Sequence, residues 1–432
     1  MDADSLHRLE KVLTDSGEAS SFKEAKQIFS KYGVRIVIGD DVADDAVSHV
    51  IALTAINCAA RSFKGNVKIE APIGMKLVAP GFSNITLDSF INWFSIKPVE
   101  DNLAQNWPTI VIGKKISGGA VGVVIQPWAN GWEFGLGIGI GGSMRLFAPA
   151  AVAAGALAVS EAFSILRNDN PYAGKRAIKQ SLWSVNSDID DEAPIESVVF
   201  PSCWIIGLGH LGQAYAWTMS FMKPADQATI YLQDVDIITK STLSTSMLSV
   251  AADINTKKTR KVANWLESRG YQTSLIERRF DENQRIRAEE SSTALFGVDN
   301  PAARRTIESA GYRYVIDAGL GSGYKDFRAI RIRTFPGPSS AASLWASSEI
   351  TSDNLTAPAY QDLISQGIEQ CGVTTLASRA VGAPFVGCFA SAFVLAELVR
   401  KQINGPLYSC LDINLRSPQK LEALASETKI LY

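Results

Sequence analysis

The sequence predicts an α/β protein built from two Rossmann-like lobes, the N-terminal one degenerate. Two strand–turn–helix units support this, one beginning at Val34 and a stronger one at Cys203. In the second unit Gly207, Gly209 and Gly212 stand between the strand and the helix, and each half ends with an alanine-rich helix. A glycine series between a strand and a helix is typical of nucleotide-binding α/β folds.

Composition narrows the class of protein. The chain of 432 residues is long enough for two or three domains, and its net charge of −2 does not favour a nucleic-acid or membrane-surface partner. Five cysteines without a C-x-x-C pair argue against structural zinc and for a reducing, cytoplasmic location. Acidic residues follow Met1, which is the wrong start for a signal peptide.

The first half alternates short apolar strands with helices. Strands are predicted over 34–38, 67–69, 108–113, 121–126 and 132–140, the last two joined by the turn 129–131, and helices over 20–32, 43–62 and 149–166. The last helix is predicted to be buried rather than membrane-spanning, because its apolar run contains a proline and a glutamate. The polar stretch after it predicts a linker over 171–199 between lobes at 1–170 and 200–432.

The second half repeats this alternation more strongly. Strands are predicted over 203–206, 229–233, 272–277, 314–316 and, antiparallel, 327–334; helices are predicted from the glycine turn to about 222 and over 256–268, 359–370 and 385–400. The first half has a single glycine after its first strand, so it lacks a comparable phosphate cradle.

The glycine turn predicts a phosphate site. Glycine at Gly207 and Gly209 lets the backbone turn sharply and approach a phosphate, and glycine at Gly212 lets helix and strand pack closely. The helix that follows adds free N–H groups and partial positive charge. Asp234 ends the next strand, where a carboxylate can bind ribose hydroxyls. At this point both NAD and ATP are compatible with the sequence.

Further motifs separate the two nucleotides. After the Asp-x-Asp of Asp234 and Asp236 come Ser-Thr-Leu at 241–243, Lys258 near the start of a helix, and Asp-Asn-Pro-Ala-Ala-Arg at 299–304. This order resembles the ThiF/HesA/MoeB adenylation family, which includes the ubiquitin-activating enzymes. The resemblance covers roughly residues 203–400, including a similar closing stretch and last helix.

The resemblance implies ATP and Mg²⁺ as cofactors and the C-terminal tail of a ubiquitin-like protein as substrate. Lys258 would neutralise phosphate oxygens in the transition state. Asp299 would hold Mg²⁺, which prefers one or two carboxylates plus phosphate oxygens. Asp234, and as an open choice Asp236, would bind the ribose. Basic residues close enough to replace Lys258 are Lys257, Arg260 and Lys261.

Two positions depart from the family pattern. Thr242 and Thr245 stand where the family has an asparagine and an arginine, so one positive charge is missing from the phosphate site. In the family a second arginine comes from the N-terminal helix of the partner domain. Arg8, in a short helix predicted over 6–13, is the candidate for that part, and a solvated helix face is the alternative.

The cysteines raise the question of a thioester. Cys371 lies in a cysteine-bearing segment at about 336–375, at the predicted end of helix 359–370, near where the family places its reactive cysteine. A structural thiol is the alternative. Cys203 and Cys388 are predicted to be core residues, Cys58 to face inward on a helix, and Cys410 to lie on an edge strand.

The favoured hypothesis is therefore an activating enzyme with a degenerate and an active lobe, acting before a conjugating-type enzyme. The chain resembles the activating component of bacterial ubiquitin-like conjugation systems associated with defence against phage. A homodimer stays open, although the second lobe would already be supplied in cis. Two alternatives remain: an NAD(P)-dependent oxidoreductase, and a non-catalytic scaffold that binds a ubiquitin-like partner.

Overall fold

The computed structural model describes residues 7–94, 96, 99, 101–114, 122–137, 144–185, 194–195, 198–346 and 353–426. The α-helices in these ranges are α1 Lys11–Asp15, α2 Phe22–Phe29, α3 Ala46–Ser62, α4 Leu87–Ile91, α5 Asp101–Ala104, α6 Ala148–Arg167, α7 His210–Met219, α8 Lys258–Glu267, α9 Pro301–Arg305, α10 Ala341–Leu344, α11 Pro358–Ser365, α12 Gln370–Ser378 and α13 Pro384–Gln402. The strands are β1 Val34–Ile38, β2 Val67–Glu70, β3 Thr109–Ile112, β4 Val124–Ile125, β5 Pro127–Asn130, β6 Glu133–Leu136, β7 Ile178–Ser181, β8 Cys203–Ile206, β9 Thr229–Gln233, β10 Gln272–Ile276, β11 Thr293–Phe296, β12 Tyr314–Leu320, β13 Ala329–Phe335, β14 Tyr408–Asn414 and β15 Glu422–Ala425.

The N-terminal lobe contains two small sheets. Its parallel sheet has the order β2-β1-β3-β4, so the first strand lies in the interior, as in a Rossmann half. An antiparallel sheet, β5-β6-β7, covers part of α6. Because β7 belongs to this sheet, the prediction that 171–199 is a linker is wrong for this part, and the lobe extends beyond residue 170.

The C-terminal lobe is built on one mixed sheet of eight strands. The order is β10-β9-β8-β11-β12-β13-β14-β15, with parallel pairing from β10 to β12 and antiparallel pairing from β12 onward. The parallel strands are short apolar runs because helices cover both faces of such a sheet. The carboxyl ends of β8, β9, β11 and β12 therefore meet at one edge, where the glycine turn lies.

A helical layer joins the two lobes into one core. The closing helices α6 and α13 pack against each other, α3 packs on α6, and α7 packs on α13. Each lobe thus contributes its first and its last long helix to the layer, as expected for two lobes with the same order of elements. Helix α6 is long and apolar enough to cross a membrane by length and composition alone, but 89% of its most apolar window is buried inside the molecule.

The α/β prediction is confirmed, and several local predictions need correction. Residues 124–125 pair with β3, so the hairpin is formed by β5 and β6 instead of the predicted segments. Residues 121 and 138–140 of those segments lie outside the described ranges. Cys410 is not on an edge strand, because β15 pairs with the outer side of β14. Strand β11, in the middle of the C-terminal sheet, was not predicted.

Candidate nucleotide site

The glycine turn has the backbone that the sequence predicted. Gly207 has φ +85, in the left-handed region that favours glycine, and its N–H donates to the Gln233 carbonyl at 2.9 Å. A methyl group at Gly212 would collide with the Gly207 carbonyl oxygen. Around Gly209, by contrast, nothing lies within 4 Å of where a methyl would stand. The turn therefore leaves space in front of the first N–H groups of α7, which have no acceptor within the helix.

Asp234 is bonded directly to this turn. Its Oδ2 accepts the Leu208 N–H at 2.7 Å, and its Oδ1 accepts the Asp236 N–H at 2.8 Å. A carboxylate has about four acceptor positions, so two remain for ribose hydroxyls. The two bonds fix the carboxylate beside the open side of the turn, where the sequence predicted a ribose-binding residue.

Lys258 lies at the same edge of the sheet. It is the first residue of α8, and its Nζ is 3.0 Å from the Asp236 carboxylate. The Lys258 side chain is 13% exposed and the Asp236 side chain 58%. Asp236, the open choice for ribose binding, thus contacts the candidate catalytic lysine, and the sequence did not indicate this contact.

The three basic residues considered as replacements for Lys258 are bonded elsewhere. Lys257 donates to the Val235 carbonyl at 2.5 Å, Arg260 pairs with Glu277 at 3.1 Å, and Lys261 pairs with Asp253 at 2.7 Å. Lys258 therefore remains the lysine best placed to reach a phosphate beside Asp234.

The chain after β11 brings Asp299 to this edge. The Gly297 N–H donates to the Ile206 carbonyl at 2.9 Å, and Gly297 and Val298 lie against Gly207. Asp299 follows with an exposed side chain, and Asn300 caps α9 by accepting the Ala302 N–H at 2.8 Å. Among the described residues no group of three or more His, Cys, Asp or Glu could enclose a metal ion. A single exposed carboxylate fits Mg²⁺, which takes its other ligands from phosphates and water.

Arg8 reaches the glycine turn from the N-terminal lobe. Arg8, Thr245 and His210 converge on Gly382, where an added methyl would lie 3.8 Å from Arg8 Cβ, 3.0 Å from Thr245 Cγ2 and 3.8 Å from His210 Nδ1. Arg8 Nη1 donates to the Ala380 carbonyl at 2.8 Å. The arginine therefore lies beside the threonine that replaces the family's arginine. It precedes α1, in a turn, so the helix predicted over 6–13 begins later than expected.

The cysteines differ in their position and burial. Cys371 is the second residue of α12; it does not end a helix, because Gly367 with φ +81 separates α11 from α12. Its side chain lies outside the described residues. Cys58, Cys203 and Cys388 are buried, as predicted, and burial raises the thiol pKa of Cys203 and Cys388. A raised pKa removes thiolate character, so these two are poor nucleophiles.

A cavity of about 390 Å³ lies between β12, β13 and α10. Its wall includes Asp317, which is 2% exposed and has Oδ1 at 3.2 Å from Arg304 Nε without a geometric hydrogen bond. Burial raises the pKa of Asp317 to about 6, against the lowering effect of Arg304 and Arg333. The Val381 N–H donates to the Ser322 carbonyl at 2.8 Å, which joins this wall to the segment that carries the Arg8 contact.

The corresponding turn of the N-terminal lobe is closed. There the Asp41 carboxylate contacts the positions where Gly39 and Gly113 would carry a methyl group. It accepts the Lys114 N–H, at 2.8 Å through Oδ1 and 3.1 Å through Oδ2. A carboxylate occupies the place that a phosphate would need, so this lobe is degenerate for a physical reason beyond its lack of glycines.

Two family models match the chain, one in each lobe. Residues 33–182 match the BilD N-terminal domain family and residues 200–405 the BilD C-terminal domain family. The bacterial E1-like protein BilD of Collimonas sp. (strain OK412) is 34% identical over 433 residues, covering 98% of this chain and 94% of that protein.

Solved structures give a more distant likeness. Crystal structures of E. coli MccB alone and with ATP align with TM-scores of 0.37 and 0.36 at 14% and 15% identity. These alignments cover 52% of this chain and 62% and 64% of MccB, so they span less than two thirds of that protein. The match along the whole chain confirms the resemblance to E1-type proteins, and the chain belongs to the BilD family of bacterial E1-like proteins.

Proposed function

We propose that this protein activates the C-terminus of a ubiquitin-like protein by ATP-dependent adenylation and then takes the product as a thioester. The main support for this proposal is that four parts of the site lie at one edge of the sheet. They are the open glycine turn, Asp234, Lys258 and the chain leading to Asp299. The E1-like description of the relative from Collimonas supports the same reading. The proposal includes a cytoplasmic location, where ATP is supplied.

In the first step a carboxylate oxygen of the tail attacks the α-phosphorus of ATP. The new bond is P–O, and the bond from that phosphorus to the β-phosphate oxygen breaks, so pyrophosphate leaves with the electron pair. Lys258 stabilises the charge on the phosphate oxygens once its ion pair with Asp236 has broken. Asp299 would hold Mg²⁺, which supplies further positive charge at the phosphates when bound.

Arg8 supplies the positive charge that Thr245 lacks, from the other lobe of the same chain. Its place beside Gly382 and the glycine turn supports this role. The substrate tail is proposed to run through the 390 Å³ cavity, because that cavity adjoins the Arg8 segment and opens at the same edge.

In the second step the Cys371 thiolate attacks the acyl carbon of the adenylate. A C–S bond forms, the C–O bond to AMP breaks, and AMP leaves with the electron pair. A conjugating-type enzyme would then receive the acyl group. This step rests on the family resemblance and on the chain position of Cys371 in the first turn of α12.

Pyrophosphate exchange tests the first step, with full-length protein, Mg²⁺ and a ubiquitin-like protein from the same genome. Lys258→Ala is expected to lower exchange by about 10²- to 10³-fold, since it removes a preorganised charge from the transition state. Arg260→Ala, two residues further along α8 and paired with Glu277, is the matched control and should retain exchange. No exchange by the unaltered protein would favour the scaffold alternative, and stabilisation by NAD⁺ instead of ATP would favour the oxidoreductase.

A gel under non-reducing conditions tests the second step. Cys371→Ala is expected to retain exchange and to lose the thiol-sensitive adduct, because adenylation does not need the thiol. Cys410→Ala is the control, since Cys410 is partly exposed on β14. An adduct that persists in Cys371→Ala would assign the acceptor to another residue.

A further inference from the structure

A second concave surface lies between the lobes, and the glycines of the glycine turn do not line it. We call it the interlobe groove; it is lined chiefly by Phe82 and Trp93 of the N-terminal lobe and by Asn264, Trp265 and Arg269 of α8 and the residues after it. Its volume is about 430 Å³. Ligand pockets commonly have roughly 300–1,000 Å³, so the groove can hold one or two side chains of a partner.

One wall of the groove is aromatic. Trp93 is 41% exposed and packs edge-on against Trp265, with ring centroids 5.7 Å apart. Phe82 lies beneath Trp93 at 6.1 Å and is buried. A half-exposed tryptophan above two further rings presents apolar surface to solvent, and such aromatic positions often carry binding energy in protein interfaces.

The other wall carries an uncompensated positive charge. The Arg269 guanidinium lies 3.6 Å from the Trp265 ring centroid and 4.8 Å from that of Phe82. Its Nη1 donates to the Trp265 carbonyl at 2.9 Å and to Ser268 Oγ at 2.8 Å, whereas Nε is buried without an acceptor. Burial lowers the pKa of Arg269 to about 10, which leaves it charged at neutral pH.

No carboxylate of the described residues pairs with this guanidinium. The carboxylate in the groove, Asp253, already pairs with Lys261 at 2.7 Å and accepts the Val250 N–H at 2.8 Å. The groove therefore offers aromatic surface beside the Arg269 guanidinium, which is held in place by stacking on Trp265. The N–H groups of the second terminal nitrogen, Nη2, are left for a partner, and a charged donor of this kind favours a carboxylate acceptor.

We propose that the interlobe groove binds a segment of another protein in which a carboxylate side chain stands next to a bulky apolar side chain. The apolar side chain covers Trp93 and Trp265, and the carboxylate pairs with Arg269. The exposed side-chain amide of Asn264 is available to the backbone of the segment. Both lobes line the groove, so a bound segment bridges them. The inference does not depend on adenylation.

Fluorescence anisotropy with full-length protein tests the proposal. The probe is a dye-labelled peptide, acetyl-Ser-Glu-Leu-Phe-Ser-amide, and the reference is the same peptide with Lys in place of Glu. The acidic peptide is expected to bind about tenfold more tightly, as the loss of a charged hydrogen bond predicts. Arg269→Gln should remove that preference, and Trp93→Ala should weaken both peptides.

Two controls keep the result interpretable. Arg279→Gln removes an exposed arginine outside the groove and should bind like the unaltered protein. Trp93→Ala alters a half-exposed side chain, so it reports on binding even where Arg269→Gln is poorly folded. Equal affinity for the two peptides, or full binding by a folded Arg269→Gln protein, overturns the proposal. Pyrophosphate exchange in the same variants shows separately whether adenylation is affected.

Discussion

At the scale of residues, the two lobes differ in what faces the turn after the first strand. In the C-terminal lobe Gly209 faces open space, and in the N-terminal lobe the Asp41 carboxylate fills the turn and accepts the Lys114 N–H. Phosphate and carboxylate are both anions that bind backbone N–H groups. We infer that the Asp41 carboxylate takes the place of a phosphate in this turn and stabilises it.

Replacing this carboxylate tests the interpretation. Asp41→Ala is expected to lower the free energy of unfolding by about 1 kcal/mol, the usual value of one hydrogen bond. Added sulfate should then stabilise this variant more than the unaltered protein, because a free anion can enter the vacated turn. The measurement is urea unfolding with and without sulfate.

Asp40→Ala is the matched control for this comparison. Its carboxylate is adjacent and exposed, so the variant reports the general stabilisation that sulfate gives to folded proteins. An equal response to sulfate in the two variants would show that the Asp41 carboxylate does not take the place of an anion.

At the scale of elements, apolar runs in the sequence predicted most strands and helices. The strands that were missed form because of pairing with neighbouring strands. Strand β11 has four residues buried on both faces and no alternation, so its sequence does not distinguish it from a loop or a helix turn. Its place between β8 and β12 depends on pairing with residues far away in the chain. Strand β7 was missed because its polar residues resemble a linker.

The same distinction holds for the site. Motif spacing predicted the glycine turn and Asp234, which directly follow the predicted strands β8 and β9, whereas Lys258 and Asp299 came from the order of motifs in the family resemblance. It did not predict that Asp236 pairs with Lys258 or that Asp317 is buried beside Arg304. These contacts join segments whose relative placement only the packed sheet determines.

Packing of α3 on α6 gives a prediction at this scale. Gly155 in α6 lies so close to α3 that a methyl group there would be 2.7 Å from the Ile51 carbonyl oxygen and 3.1 Å from Thr54 Cβ. Gly155→Ala is therefore expected to destabilise the protein by roughly 1–3 kcal/mol, the cost of overpacking, despite the higher helix propensity of alanine. Urea unfolding measures it.

Gly372 in α12 provides the control. A methyl group at Gly372 would have its nearest neighbour, Ile368 Cγ2, at 3.9 Å, which is ordinary van der Waals contact. Gly372→Ala should therefore leave stability unchanged or raise it slightly, as helix propensity predicts. If Gly155→Ala were equally well tolerated, the close approach of α3 and α6 would be wrong.

At the scale of the whole molecule, the lobes share one hydrophobic core and are also joined by hydrogen bonds of Arg61. Arg61 of α3 donates to three carbonyls in the C-terminal lobe: Leu243 at 3.0 Å, Met247 at 2.9 Å and Ser249 at 2.7 Å. These carbonyls flank Thr245, so the N-terminal lobe holds the backbone beside the glycine turn of the C-terminal lobe. We infer that the N-terminal lobe acts as a structural support for the site.

Burial of the histidines makes the stability of the protein depend on pH. Burial lowers the pKa of all three histidines, to about 4 for His7 and His210. The unfolded chain therefore binds more protons than the folded protein between pH 6.5 and about 4. The stability that these buried neutral histidines contribute is fully present above pH 6.5 and is lost as the pH drops through this window. Each of His7 and His210 contributes on the order of 3 kcal/mol to that fall.

Asp317 has the opposite effect, which allows a paired test. Its pKa is raised from 3.8 to about 6, so the folded protein binds more protons and this group favours folding as the pH falls from 6 to 3.8. We expect His210→Gln to flatten the dependence of the unfolding free energy on pH between 6.5 and 4, and Asp317→Asn to steepen it below pH 6. Urea unfolding over this range measures both slopes, and slopes that change in the same direction in both variants would contradict the burial of these two groups.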